Sequence, residues 1–161
     1  MTEKHNLRRT GIETQNGADK GTGAGASVTR NNTNTCADAS RARVLLYGLP
    51  KETPADSAAR EILAALGVAA TEVAPYQLLQ QVGVLAGYEG EEAQLYFGRA
   101  PQEPVLVMAG FSSAQLDGLL AALRRAGIVI PLKAVLTEHN RSWSLLALIE
   151  ELQREHAAMY R

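Results

Sequence analysis

Cysteine and long apolar runs are both scarce in this chain of 161 residues. Cys36 stands alone, which excludes an intramolecular disulfide and a zinc site built from cysteines. No apolar run approaches the roughly 20 residues that a membrane-spanning helix needs, and the N-terminus lacks the apolar core of a secretory signal. We therefore expect a cytoplasmic protein that does not associate with a membrane.

An excess of charge of one sign is missing as well, because 16 Lys and Arg residues nearly balance 17 Asp and Glu residues. Residues 1–42 hold six of these cations and four of the acids, so residues 43–161 carry three net negative charges. This balance creates no field that would draw the chain to nucleic acid. The charge therefore argues against nucleic acid as a partner.

Large aliphatic side chains are few at the beginning of the chain. Residues 1–42 are rich in Gly, Asn, Thr and Ser, and contain only Leu7, Ile12 and Val28 of this class. Such a segment buries too little apolar area to offset the entropy lost on ordering it. We predict a disordered tail over residues 1–42 and a single α/β domain over residues 43–161.

Short apolar runs at residues 44–47, 105–108 and 132–136 predict β-strands, and residues 68–73 predict another. The first three runs are apolar at consecutive positions, whereas a strand with one wet face would be apolar at alternate positions. Continuous apolar strands are typical of a sheet that helices cover on both faces. The pattern therefore predicts an α/β fold.

Apolar residues spaced three and four apart predict a helix inside each pair of strands. The first runs from a cap at Thr53 to Gly67, and the second from a cap at Ser112 to Gly127. A last helix begins near Ser142. Two strand–helix–strand units with parallel crossovers give a small, mostly parallel sheet with an added C-terminal helix. The last helix and the segment between the units would cover the second face. The alternative is a ferredoxin-like α+β sandwich, with one face open or covered only by the last helix.

Two glycines mark a predicted crevice. Ligands of doubly wound sheets bind beyond the carboxyl ends of the strands, where the strand order reverses. Gly48 and Gly110 each follow a strand, and we predict those two strands to be neighbours. Both glycines, together with the polar corner at residues 137–143, would then lie along one edge of the sheet.

Four side chains near the end of the chain are candidate ligand or partner residues. Lys133 interrupts an apolar strand, either to reach an anionic ligand or as an edge-strand lysine whose stem packs while its ammonium reaches water. Thr137 and Asn140 precede a helix, where free N–H groups can bind an anion, although the same residue types cap helices. Trp143 either closes the core or forms the wall of a partner site.

Catalytic and metal-binding patterns are not found. His139 and His156 lack the spacing of metal ligands, and the Gly-x-Ser-x-Gly turn of a nucleophilic serine is missing. We predict no catalytic residue, no metal and no cofactor.

The second half of the chain resembles a known family. Its pattern consists of VLVMAGF at 105–111, QLD at 115–117, LRRAGI at 123–128, PLKAVLT at 131–137, Asn140 and Trp143. This pattern is similar to that of small bacterial proteins classed as a domain of unknown function, and the likeness extends over roughly residues 43–159. The resemblance implies a bacterial cytoplasmic protein and brings no reaction, substrate or catalytic residue with it.

Three hypotheses of function follow. The first is a non-enzymatic binding or regulatory module that presents the crevice and the corner to a small molecule or a protein. The second is a small enzyme acting on an anionic metabolite, which requires Lys133 to point into a pocket. The third is a nucleic-acid accessory protein, against which the charge of residues 43–161 argues.

Overall fold

The computed structural model describes residues 42–161, so the predicted disordered tail lies outside the described residues except for Ala42. The division into tail and domain stays a prediction. Residues 42–161 form four strands and four helices, with a 3-10 turn at Pro75–Gln77. In chain order these are β1 (Arg43–Tyr47), α1 (Pro54–Ala65), β2 (Ala69–Val73), α2 (Val82–Leu85), β3 (Val105–Ala109), α3 (Ser113–Arg125), β4 (Leu132–Val135) and α4 (Leu145–Met159).

The strands form one mixed sheet in the order β2-β1-β3-β4. β1 pairs with β2 in parallel, and β3 pairs with β4 in parallel. The central pair, β1 and β3, is antiparallel. Two of the three strand pairs are thus parallel, and the predicted α/β fold with a mostly parallel sheet and an added C-terminal helix is confirmed.

Helices cover both faces of this sheet. Alternate residues of β1 and β3 point to opposite faces, and every residue from Val44 to Tyr47 and from Val105 to Ala109 is buried. On one face α1 and α3 pack in a core of Val44, Leu46, Ala59, Leu63, Leu106, Met108, Leu119 and Leu123. On the other, α2 and α4 pack in a core of Leu45, Val82, Val107, Leu145, Leu148 and Ile149. Because both faces are covered by several elements, the ferredoxin-like alternative is wrong.

The predicted caps of the two crossover helices are confirmed. The Thr53 hydroxyl accepts a hydrogen bond from the Asp56 N–H at 3.2 Å, and Ser112 and Gln115 form a reciprocal capping box. The last helix begins later than predicted, because Ser144 rather than Ser142 accepts the bond from the Ala147 N–H.

Two stretches of the chain follow the same backbone course. The first motif (residues 43–85) contains β1, α1, β2 and α2, and the second motif (residues 105–159) contains β3, α3, β4 and α4. Ala69 pairs with Arg43 in the first motif as Leu132 pairs with Val105 in the second. After each outer strand comes a turn, and then a helix that packs on the same face of the sheet.

The two motifs also contact each other in matching pairs of hydrogen bonds. The Val82 N–H donates to the Trp143 carbonyl at 2.9 Å, and the Leu145 N–H donates to the Gln80 carbonyl at 3.0 Å. The Gly83 N–H donates to the Arg141 carbonyl, and the Leu146 N–H to the Leu78 carbonyl, both at 2.8 Å. Together with the antiparallel β1–β3 pair, these contacts give the motifs an approximate two-fold relation across the centre of the sheet.

The predicted crevice shared by the two glycines is wrong. β1 and β3 are neighbours, as expected, but Arg43 lies opposite Ala109 and Tyr47 lies opposite Val105. The carboxyl ends of antiparallel strands point to opposite ends of the sheet. Gly48 therefore lies at the end where β3 begins, while Gly110 lies at the end where β1 begins.

Candidate functional site

Lys133 lies exposed on β4, the outer strand of the second motif. Its ammonium donates a hydrogen bond to the Ile130 carbonyl at 2.5 Å. Together with Arg124 it lines a groove of about 130 Å³ with an apolar floor of Leu120, Leu123, Ile128 and Ile130. Lys133 thus has the position of an edge-strand lysine, and Arg124 is a second cation in the same groove.

The side chains of the polar corner at residues 137–143 form hydrogen bonds with the backbone of the same turn. The Asn140 side chain accepts from the Thr137 N–H at 2.8 Å and donates to the Val135 carbonyl at 3.0 Å. The Thr137 hydroxyl accepts from the Asn140 N–H at 3.3 Å. Both side chains therefore cap the turn that follows β4, instead of the helix that was expected to use them.

Trp143 is half-buried against the core that α4 covers, and the His139 ring meets its edge at a centroid distance of 5.2 Å. The residue precedes the Ser144 cap, so it lies outside the helix that was predicted to begin near Ser142. Its carbonyl accepts the bond from Val82, so its backbone is part of the junction between the motifs.

A cleft of about 330 Å³ opens beyond the carboxyl ends of β1 and β2. Gly48 lies in its lining, with a φ of 71° that suits glycine. A β-carbon at Gly48 would lie 3.0 Å from the Glu103 carbonyl oxygen, so this residue also allows a close backbone approach. The remaining wall is made by Tyr47, Leu49, Lys51, Glu72, Val73, Ala74, Pro75, Ala100, Pro101 and Gln102.

Four charged side chains form a continuous network at this cleft. Glu72 accepts from Lys51 at 3.0 Å and from Arg60 at 3.3 Å, and Arg60 also pairs with Asp56 at 2.9 Å. Asp56 is buried, whereas the other three side chains are partly or largely exposed. The hydrogen bond from Lys51, with a smaller contribution from Arg60, lowers the pKa of Glu72 below its usual value.

Tyr47 also shapes the cleft, and Glu52 follows the lining residue Lys51 in the loop after β1. Tyr47 is buried and donates from its hydroxyl to the Pro101 carbonyl at 2.8 Å, which holds the far wall in place. Burial, and secondarily Tyr96, raises the pKa of Tyr47. Glu52 has a φ of 59°, the left-handed region that side chains other than glycine rarely adopt. Such strain is concentrated at functional sites in many proteins.

Sequence reasoning found Gly48 but missed Lys51 and Glu72. A lysine in a loop and a glutamate on a strand are unremarkable until the β1–β2 register brings them together. One signal was visible, because the first motif takes five positions from Gly48 to its helix cap, whereas the second takes two from Gly110 to Ser112. The longer loop is the one that carries Lys51 and Glu52.

The serine and threonine hydroxyls that form hydrogen bonds within residues 42–161 bond to backbone groups. Thr53, Ser112, Thr137 and Ser144 all act as caps of helices or turns. That part of the chain also contains no group of three or more His, Cys, Asp or Glu residues arranged to hold a metal ion. Lys51 and Glu72 give the cleft one cationic and one anionic group that a ligand can contact.

Comparison with known families singles out the second motif. Residues 104–159 match the family model of a domain of unknown function, DUF3783. The DUF3783 match begins one residue before β3 and ends at the last residue of α4. It confirms the resemblance over those residues, while the first motif lies outside it. No curated protein and no solved structure matches the chain. Across residues 42–161, no helix combines the length and the apolar character that crossing a bilayer requires.

Proposed function

We propose that the protein is a non-enzymatic binding or regulatory module whose small-molecule ligand enters the cleft at the carboxyl ends of β1 and β2. The observation that supports this proposal is the position of the cleft. It opens beyond two parallel strands and has the Lys51–Glu72 ion pair in its wall, with Arg60 paired to Glu72 behind it. This is the usual location of ligands in parallel sheets. We also propose a bacterial, cytoplasmic protein, on the grounds of the sequence resemblance and the composition.

The ligand we propose carries a charged group. Lys51 and Glu72 hold each other at the mouth of the cleft, and both remain accessible to water. A ligand carboxylate or phosphate would replace Glu72 as the ion-pair partner of the Lys51 ammonium. A ligand amine would replace Lys51 as the partner of the Glu72 carboxylate. An anionic ligand bound to Lys51 leaves Glu72 paired with Arg60, and an amine bound to Glu72 leaves the ammonium of Lys51, which is 70% exposed, to water.

A thermal-shift screen with small carboxylates, phosphates and amines tests this proposal. A ligand of the cleft raises the unfolding temperature of the native chain, and its effect is lost in Lys51→Ala or Glu72→Gln. Arg125→Ala is the control, because it removes an exposed cation of α3 that lines neither the cleft nor the groove beside Lys133. A ligand whose effect survives both cleft substitutions would contradict the proposal, and so would turnover of any compound in the panel.

The groove beside Lys133 supports a second candidate, a small enzyme that acts on an anionic metabolite. Lys133 and Arg124 line the groove together, and neither forms an ion pair with a carboxylate of residues 42–161. Turnover of an anionic compound that is lost in Lys133→Ala, with the fold intact by circular dichroism, would favour this candidate over the binding module.

A further inference from the structure

The connecting segment (residues 86–104) joins the first motif to the second without forming a helix or a strand. Connections of more than about 12–15 residues without secondary structure are uncommon in compact domains, and those that are ordered are usually functional. The route from α2 to β3 therefore has more chain than a simple link needs. Its contacts show how this additional chain is used.

Hydrogen bonds hold the middle of the connecting segment against the first motif. The Gln80 side-chain amide donates to the Glu91 carbonyl at 2.8 Å and accepts from the Ala93 N–H at 2.9 Å. The Tyr96 N–H donates to the Tyr76 carbonyl at 2.9 Å. The Tyr96 ring packs against the core that α4 covers. These contacts thus hold the connecting segment in one position on the protein surface.

Its large apolar side chains nevertheless face the solvent. Leu95 and Phe97, on either side of Tyr96, are 57% and 86% exposed, and Tyr76 is 52% exposed. Leu95 and Tyr76 line a cleft of about 400 Å³ whose floor includes Val84 and Leu85. Large exposed apolar side chains beside a concavity are typical of sites where another polypeptide docks. We call Tyr76, Leu95 and Phe97 the docking patch.

Acidic residues lie close to the docking patch, because Glu92 lines the same cleft as Leu95 and Tyr76, and Glu89 and Glu91 precede it in the connecting segment. Glu89, Glu91 and Glu92 are exposed, and none of them forms an ion pair with a cation of residues 42–161. With Glu103 and a single cation, Arg99, the connecting segment carries three net negative charges. Unpaired charge around an apolar centre selects partners of the opposite sign.

We propose that the docking patch and the acidic residues close to it bind a polypeptide segment in which an aromatic or aliphatic anchor is flanked by Lys or Arg. The anchor contacts Leu95 and Phe97 and enters the cleft beside Tyr76. The flanking cations pair with Glu89, Glu91 and Glu92. This surface is separate from the Lys51–Glu72 cleft, so the proposal does not depend on the proposed function.

Selection from a random peptide library against the full chain tests the proposal. We expect recovered peptides to combine an apolar anchor with flanking Lys or Arg, and the most enriched peptide, labelled with a fluorophore, then serves as the probe. In a fluorescence-anisotropy titration, Phe97→Ser and Leu95→Ser weaken its binding roughly tenfold or more. The triple substitution of Glu89, Glu91 and Glu92 by Gln weakens binding and removes most of its dependence on salt.

Val129→Ser is the matched control, because Val129 is similarly exposed but lies on the connection between α3 and β4. It leaves the binding of the probe unchanged. Because Phe97 is largely exposed, Phe97→Ser also keeps the unfolding temperature of the native chain, which separates loss of docking from loss of fold.

Three results would overturn the proposal. The first is failure to recover peptides, or recovery of acidic peptides. The second is binding of the probe that Phe97→Ser leaves intact. The third is concentration-dependent self-association in sedimentation that Phe97→Ser abolishes, because it would assign the docking patch to a second copy of this chain.

Discussion

The first and second motifs share a backbone course but differ in the lengths of their loops and of their last helices. The first has the longer loop after its inner strand, and its last helix, α2, has 4 residues before the connecting segment begins. The second has a short loop, and its last helix, α4, has 15 residues. The central elements agree because the shared core requires them. The differences lie at the ends of the strands, and this is where the candidate binding features of the first motif are found.

Equivalent buried positions illustrate the shared requirement. Val82 at the start of α2 and Leu145 at the start of α4 are both fully buried, and their N–H groups make the matching bonds across the junction. By contrast, Gly83 and Leu146 occupy matching positions with different side chains. A β-carbon at Gly83 would lie 2.9 Å from the Arg141 carbonyl oxygen. The two-fold relation is therefore approximate, and the first motif is closer to its neighbour at this point.

Truncation at the junction gives the largest expected effect. Leu145→Ala lowers the free energy of unfolding by about 3 kcal/mol because it leaves a cavity in a fully buried site, and Val82→Ala lowers it by about 2 kcal/mol because fewer methyl groups are lost. Urea denaturation followed by circular dichroism measures both. Since the two residues share one core, each variant unfolds in a single transition. Two separate transitions would show that the motifs are independent.

Substitution of the glycine at the cleft is expected to have the next largest effect. Gly48→Ala lowers the free energy of unfolding by about 2 kcal/mol, because a left-handed residue costs about 1 kcal/mol and the new methyl group presses on the Glu103 carbonyl. Gly127→Ala is the control, with the same φ of 71° but no atom within 4 Å of the added carbon. Equal losses in the two variants would mean that the close approach at Gly48 is unimportant.

The charge network of the first motif makes stability depend on pH. The pKa of Glu72 is lowered in the folded state, so its contribution is complete above its usual pKa of 4.5 and is lost as the pH falls through the lowered value. Because the pairs are partly exposed, Glu72→Gln costs about 1 kcal/mol or less at neutral pH. Urea midpoints at neutral and acidic pH measure this difference, which should shrink in acid. Glu61→Gln, which removes a glutamate without an ion pair among residues 42–161, should show a smaller difference.

Relief of strain in the longer loop gives the smallest effect. Glu52→Gly raises the free energy of unfolding by about 0.5 kcal/mol, because the gain from removing a strained left-handed side chain exceeds the entropy that glycine loses on folding. The thermal midpoint, compared with that of the parent chain, measures it. If the midpoint instead falls, the side chain of Glu52 contributes more to the loop than its backbone strain costs.

Local features of the fold were readable from the sequence because they depend on neighbouring residues. The caps at Thr53 and Ser112 and the continuous apolar strands are of this kind. The covering of the second face by the last helix and the segment between the units was also predicted, because two crossover helices on the first face leave those elements for the other. The last helix was placed too early because Ser142 and Ser144 are both capable caps, and only tertiary contacts of Trp143 decide between them.

The relative direction of β1 and β3 could not be predicted from the sequence pattern. Buried strands are continuously apolar whether their neighbours are parallel or antiparallel, so the pattern carries no direction. The course of the connecting segment decides it, and this segment has no periodic pattern. The prediction therefore placed Gly110 at the same end of the sheet as Gly48, whereas the antiparallel pair places it at the opposite end. The Lys51–Glu72 contact was missed for a separate reason, because it depends on the β1–β2 register.

The pairing at the centre of the sheet has a consequence for synthesis on the ribosome. Arg43 and Tyr47 find their β3 partners at Ala109 and Val105, so one side of β1 stays without its partner until the chain has grown past position 109. Closing so long a loop slows folding. During that interval the nascent chain exposes an apolar strand edge that invites aggregation, so this sequence should depend on chaperones during translation more than a chain whose central strands are adjacent in sequence.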